Sequence, residues 1–218
     1  MTGRPRVLLA TRNPKKLGEL SRVLRDVVSG VEVVGLEAVM PYDEPPETEP
    51  TFAGNALIKA RAGVQATDLP TVADDSGLCV DALAGMPGVL SARWSGRPKD
   101  DSANNELLLA QLSDIPDERR GAEFRCAVAL AMPDGREELT SGVMRGRLVR
   151  EPRGSGGFGY DAIFVPDDQP EEEALTSAEL SAAEKDTISH RGKALRDMAL
   201  VLADVLGVGP TTSRLASG

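Results

Sequence analysis

Two rhythms of apolar residues alternate along the chain: short aliphatic runs that suit strands, and positions three and four apart that suit helices. The run Val7-Leu8-Leu9-Ala10 predicts a buried strand. Asn13 then stands as an N-cap with Pro14 at the first helical position, ahead of Leu17, Leu20, Leu24 and Val27 at helical spacing. A second strand is expected over 31–36, followed by a Pro- and Glu-rich loop over 41–50. From Thr51 a helix runs through Ala53, Ala56, Leu57 and Ala60 and presents Asn55 and Lys59 on one face. Residues 71–73 form a third strand that ends at Asp74-Asp75.

The second half continues the alternation. A helix from about Asp101 uses Leu107, Leu108 and Leu112 as its apolar stripe. Strands over 124–132 and 137–143 flank Pro133-Asp-Gly-Arg136, a hairpin signal. Further strands are expected over 144–149 and 162–165, with an acidic loop over 167–173. Ser181-Ala-Ala-Glu184 is a capping box. The last helix runs from His190 through Leu195, Met198, Val201, Leu202 and Val205 and stops at Gly207. Together these elements predict an α/β protein. With no internal repeat and no dividing linker, one domain over 1–207 is expected, with a disordered tail over 208–218.

Composition narrows the function. The 218 residues, 41% hydrophobic and 27% charged, suit a globular protein with ample length for a core. No apolar run approaches the roughly 18 residues of a membrane span. The 7–10 run is also too short for a signal-peptide core, so a cytoplasmic protein without membrane association is expected. A net charge of −9 argues against nucleic acid as a partner, but a free nucleotide needs only a local group of Lys and Arg. One histidine, and Cys79 far from Cys126, leave no basis for a His- or Cys-based zinc site. The cysteines are expected as buried thiols. Any metal should be Mg²⁺ or Mn²⁺ on oxygen ligands.

Four segments carry candidate chemistry. The doublet Asp74-Asp75 reads either as an Asx-type turn closing a strand or as a divalent-metal site, because adjacent buried carboxylates are costly without a cation. Strand, tight turn and helix start over 7–17 make an anion-binding arrangement, with Lys15 and Lys16 adding charge, or simply a solvent-facing helix start. Gly154-x-Gly-x-x-Gly159 matches the dinucleotide fingerprint but is followed by a strand rather than a helix, so that reading is rejected. Phe158 within it is either a stacking surface for a base or a core plug. Lys185, His190 and Arg191 offer donors for phosphate or a carbonyl, or else brace the helix start.

Taken in order, Thr11-Arg-Asn-Pro-Lys-Lys16, Thr51-Phe-Ala-Gly-Asn-Ala-Leu-Ile-Lys-Ala60, Ala73-Asp-Asp-Ser-Gly-Leu78, Gly85-Met-Pro-Gly-Val-Leu-Ser-Ala-Arg-Trp-Ser-Gly96, Gly157-Phe-Gly-Tyr-Asp161 and Ser189-His-Arg-Gly192 resemble the Ham1/RdgB family of noncanonical purine nucleoside triphosphate pyrophosphatases, or inosine triphosphatases. The resemblance implies an elongated, curved mixed β-sheet flanked by helices, with two lobes and a nucleotide cleft between them, in a homodimer. It implies Mg²⁺-dependent hydrolysis of ITP, dITP and XTP to monophosphate and pyrophosphate, which cleanses the nucleotide pool. Thr11, Arg12, Asn13, Pro14, Lys15 and Lys16 would then contact the triphosphate. Asp75 would be the catalytic acceptor and a metal ligand, with Ser76 beside it on the substrate. Phe158, Gly159, Tyr160, Asp161, Lys185, His190 and Arg191 would form the nucleoside and phosphate pocket.

Three departures from the family pattern stand out: Gly54 replaces a common acid, Glu49-Pro50 replaces a Gly-containing pair, and Met144 stands where Trp is frequent. Glu47 is the best-placed second acid for the metal, with Asp74 the other choice. Cleavage between the α- and β-phosphates needs positive charge on the leaving pyrophosphate, which Lys16, Lys59 and Lys185 could supply. Two other readings remain at this point: a Maf-like pyrophosphatase of different base preference, and a nucleotide-binding protein without catalysis.

Overall fold

A computed structural model describes residues 4–12, 17, 18, 21, 22, 30–169 and 174–208. Six strands make one mixed sheet in the order β2-β1-β3-β4-β5-β6: β1 Arg6–Leu9, β2 Glu32–Val34, β3 Thr71–Val80, β4 Gly121–Ala131, β5 Glu137–Leu148 and β6 Phe164–Pro166. β1 runs parallel to both β2 and β3, and β5 is antiparallel to β6. The helices are α1 Phe52–Thr67, α2 Asp101–Gln111, α3 Ala182–Ile188 and α4 His190–Leu206. The α/β expectation holds. Leu17, Gly18, Ser21 and Arg22 are helical, as their spacing suggested, while Asn13 to Lys16 and the tail beyond 208 lie outside the described residues.

The chain forms two compact units. One comprises residues 1–75, 127–141 and 191–218; the other comprises 76–126 and 142–190.

One core cluster of the first unit is made of small residues. Ala56 and Ala60 of α1 meet Ala10, Ala73, Ala129 and Ala131. Gly63 continues this face, and a Cβ there would stand 2.5 Å from Thr71 Cγ2. Helix α1 therefore lies unusually close to β3. Thr51 caps its start by accepting from the Gly54 N–H at 3.1 Å, and Asp68 ends it in the left-handed region at φ 55°.

The second unit packs larger side chains, with Leu78, Leu108, Leu112, Phe124, Met144 and Phe164 at its centre. Phe124 meets Phe164 edge-on at 4.7 Å. Arg120 is fully buried without a carboxylate: Nε donates to Leu148 O, Nη1 to Leu112 O and Nη2 to Val149 O, at 2.7–3.0 Å. These bonds tie the end of α2 to the end of β5. The capping box at Ser181 and Glu184 is present, and α4 gives way to Gly207 at φ 62°.

The sheet corrects four expectations. β3 does not stop at Ala73 but continues to Val80, because Leu78 and Val80 are wholly buried and the Leu78 N–H is taken by Ser91 Oγ at 2.9 Å. Tertiary packing here outweighs the turn preference of Asp-Ser-Gly. The pieces expected at 137–143 and 144–149 are one strand, β5. Gly146 within it lets β6 approach, since a Cβ there would lie 2.2 Å from Val165 O. The second strand shrinks to three residues before a 3-10 turn at Leu36–Ala38. The last begins at Phe164, after a 3-10 turn at Asp161–Ile163.

Candidate active site

Successive strand residues face opposite ways, so a carboxylate doublet inside β3 is divided between the two sides of the sheet. Asp75 faces α1. Its Oδ2 accepts from Asn55 Nδ2 at 3.2 Å and its Oδ1 from Lys59 Nζ at 3.4 Å. Asn55 and Lys59 are four residues apart on one helical face, and the close seating of α1 brings both within reach. Lys59 Nζ also pairs with Glu47 Oε1 at 2.5 Å and donates to the Asp74 carbonyl at 3.4 Å. Asp75, Lys59 and Asn55 are all buried. Burial works against the charge on Lys59. Asp75, the hydrogen-bonded Glu47 and Asp74 outweigh it and raise the lysine pKa above its ordinary value.

Asn55 also fixes the loop that carries Glu47. Its Oδ1 accepts from the Glu49 N–H at 2.9 Å and its Nδ2 donates to Glu49 O at 3.2 Å. Asp74 goes the other way, its Oδ2 accepting from Arg191 Nε at 3.3 Å at the start of α4. Of the two candidate partners for Asp75, it is Glu47 that shares a cation with it. Thr11 follows β1, with its N–H on Leu9 O at 3.0 Å. Arg12 is exposed and donates to Tyr42 O at 2.9 Å, with Glu44 at 3.5 Å. A shallow depression is lined by Arg12, Tyr42, Glu44 and Lys59. Asn13, Pro14, Lys15 and Lys16, the remainder of the expected triphosphate contact, lie outside the described residues.

The second unit holds the glycine-rich loop. Asp161 is buried, and its Oδ2 accepts from the Phe158 N–H at 2.8 Å and from Lys185 Nζ at 2.5 Å. Lys185 stands 5.4 Å from the centre of the Phe158 ring, which is half-buried rather than a core plug. Gly157, at φ 72°, has no room for a side chain, because a Cβ would overlap the Asp161 carboxylate. Tyr160 is buried with its hydroxyl on Ser91 O at 2.8 Å, and burial together with Asp101 pushes the phenol pKa up. His190 stacks on Phe124 at 5.0 Å. Ser76 follows Asp75 in β3 and is half-buried.

Lys185, His190 and Arg191, grouped by sequence, thus reach three different partners: Asp161, Phe124 and Asp74. Three residues absent from the expected site, Asn55, Asp101 and Asn105, enter the structure around it, and Lys59, expected only as a charge on the pyrophosphate, meets Asp75. Asn55 and Lys59 were detectable as an i, i+4 pair facing one way. Asp101 and Asn105 of α2, which bond to Gly159, had no distinguishing signal in a helix that reads as ordinary.

A sequence model of the Ham1 family matches residues 7–201. A protein from Nocardia farcinica named dITP/XTP pyrophosphatase is 60% identical over 199 residues, 91% of this chain and 95% of its own. One of the same name from Mycobacteroides abscessus is 58% identical over 94% of this chain and 98% of its own. The crystal structure of a nucleoside-triphosphatase, dITP/XTP pyrophosphatase, from Mycobacterium abscessus is 59% identical and superimposes with a TM-score of 0.73 over 90% of this chain and 98% of the other. The Staphylococcus aureus Ham1 protein, 34% identical, gives 0.80 over 92% and 99%. With its split aspartate doublet, its α/β fold and these relatives along almost its whole length, the chain belongs to the Ham1 family.

Proposed function

We propose that this protein hydrolyses noncanonical purine nucleoside triphosphates, dITP, XTP and ITP, to the monophosphate and pyrophosphate. The observation that carries the reading is the cluster of buried Asp75 and Lys59 with half-buried Glu47, in a chain so similar to proteins named dITP/XTP pyrophosphatase. One water is added across the α–β anhydride, and the pyrophosphate leaves with the negative charge.

The residues present fit Mg²⁺. Asp75 and Glu47 are oxygen donors that converge on one ammonium, and among the described residues no group of three or more His, Cys, Asp or Glu forms a full cage. Mg²⁺ typically takes one or two carboxylates and completes its shell with phosphate oxygens and water. Asp75 and Glu47 would hold it, and when bound it supplies charge against the phosphates and a more acidic water. Asn55 holds the Asp75 carboxylate in place and also anchors the loop bearing Glu47. Lys59 pairs with both acids, and Lys185 provides a second cation beside Phe158.

The reading includes a homodimer in the cytoplasm. Cys79 and Cys126, which form no disulfide, support a reducing compartment, and no helix among the described residues is long and apolar enough to cross a membrane. A panel of dITP, XTP, ITP, GTP and ATP with Mg²⁺, scored separately for pyrophosphate and orthophosphate, tests the activity. Pyrophosphate from the first three is expected. Orthophosphate with accumulating diphosphate would overturn the reading, and no turnover at all would leave a binding protein. Light scattering tests the dimer.

A further inference from the structure

Gly159 is held at both of its polar atoms by one helix. Its N–H donates to Asp101 Oδ2 at 2.7 Å and its carbonyl accepts from Asn105 Nδ2 at 2.9 Å. Asp101 and Asn105 are one turn apart on α2, so the grip comes from a single rigid face. The neighbours are held as well: the Phe158 N–H by Asp161, and the Tyr160 hydroxyl by the Ser91 carbonyl. Water could satisfy the backbone of an ordinary surface turn. Here Asn105 is buried, and its Oδ1 has no hydrogen-bond partner among the described residues. A buried unsatisfied acceptor is costly, and the helix keeps it while holding the donor on Gly159. What the grip fixes is the height of the half-buried Phe158 ring and its distance from Lys185.

We propose that Asp101 and Asn105 are positioning residues for purine binding. They pre-set the 158–160 loop so that the Phe158 ring receives the base without a prior ordering cost. This rests on the reading of the chain as a purine triphosphate pyrophosphatase. Neither residue touches the substrate; both act through Gly159. A ring held in place lowers the cost of binding, and its loss falls on substrate affinity rather than on the chemistry at the phosphates.

The test is the KM-against-kcat split for dITP in Asp101→Ala, Asn105→Ala and Asp101→Asn, with Tm measured alongside. Asp101→Ala and Asn105→Ala should each raise KM about tenfold, the scale of one base–aromatic stack, with kcat kept within about twofold. Asp101→Asn still offers an oxygen to the Gly159 N–H and should restore KM to near the unaltered protein. A purely structural role lowers Tm and the active fraction, and hence kcat, but leaves KM where it was. Unchanged KM in both alanine variants, or no recovery in Asp101→Asn, overturns the inference. If Asp101→Ala does not fold, Asn105→Ala gives the same measurement from the other polar atom. Unaltered protein that releases no pyrophosphate from dITP, XTP or ITP overturns the functional reading and this inference together, whereas an active protein with unmoved KM overturns this inference alone.

Discussion

Arg191 donates through Nε to Asp74 Oδ2 at 3.3 Å, with both side chains at least nine-tenths buried. The arginine that the sequence offered as a donor for phosphate or a carbonyl is bonded in this structure to Asp74, the neighbour of Asp75. Removing one partner of such a pair leaves a buried charge, at a cost of about 3 kcal/mol or more.

Arg191→Ala should therefore lower Tm and the denaturant midpoint by an amount matching that cost, and should depress kcat/KM for ITP and ATP in parallel. A selective loss on ITP, with stability unchanged, would return the guanidinium to base recognition. Differential scanning fluorimetry and paired kinetics decide between the two.

Asp75→Asn should fold and lose at least about a hundredfold in turnover, within the range for removal of a key electrostatic group. Near-normal pyrophosphate release at saturating Mg²⁺ would transfer its role elsewhere. Asp74 is a poor substitute, because its carboxylate goes to Arg191 while that of Asp75 goes to α1.

Lys59 gives a pH signature. Burial lowers its pKa, but Asp75, Glu47 and Asp74 raise it further, so the folded value lies above the unfolded 10.5. A raised cationic pKa contributes stability that is complete below the unfolded value and fades as pH climbs through the folded one. The stability difference between the unaltered protein and Lys59→Met should stay constant from neutral pH to just below 10.5 and shrink above it. Urea titrations of both proteins across that range measure it. A difference already shrinking near neutral pH would contradict the cluster.

Gly63→Ala should push α1 off β3 at Thr71, and with it draw Lys59 away from Asp75. Overpacking of this kind costs about 1–3 kcal/mol, and activity should fall as well. Thr71→Ser removes the Cγ2 that the new methyl meets at 2.5 Å and should restore part of both. Failure of the double variant to recover stability would place the strain at the retained hydroxyl, 3.0 Å away, or at Leu8 Cδ2, 3.2 Å away.

Periodicity, with the capping box at Ser181 for α3, located the four helices α1 to α4 and most strands, because helix spacing and turn chemistry are local. It ended β3 too early because Leu78 and Val80 owe their strand conformation to the second unit's core, which no short window contains. The same misreading kept Asp74 and Asp75 together as one site. Two of the expected departures from the family pattern are neighbours in space: a Cβ at Gly54 would stand 2.6 Å from Glu49 Cβ. Met144, the third, is simply core. Asp101 and Asn105 were invisible because their partner is backbone, 54 residues or more away.

The three carbonyls around Arg120 have a consequence for acid. Carboxylates let go of their partners once protonated, but Leu112, Leu148 and Val149 present neutral peptide oxygens with nothing to titrate. Although burial lowers its pKa, the guanidinium gains only firmer protonation from a fall in pH. The fastening between α2 and the end of β5 thus has no hydrogen-bond acceptor that acid can protonate, and amide exchange at Leu148, whose N–H returns to Arg120 O at 2.9 Å, should stay slow in acid that frees the loop bearing Glu47.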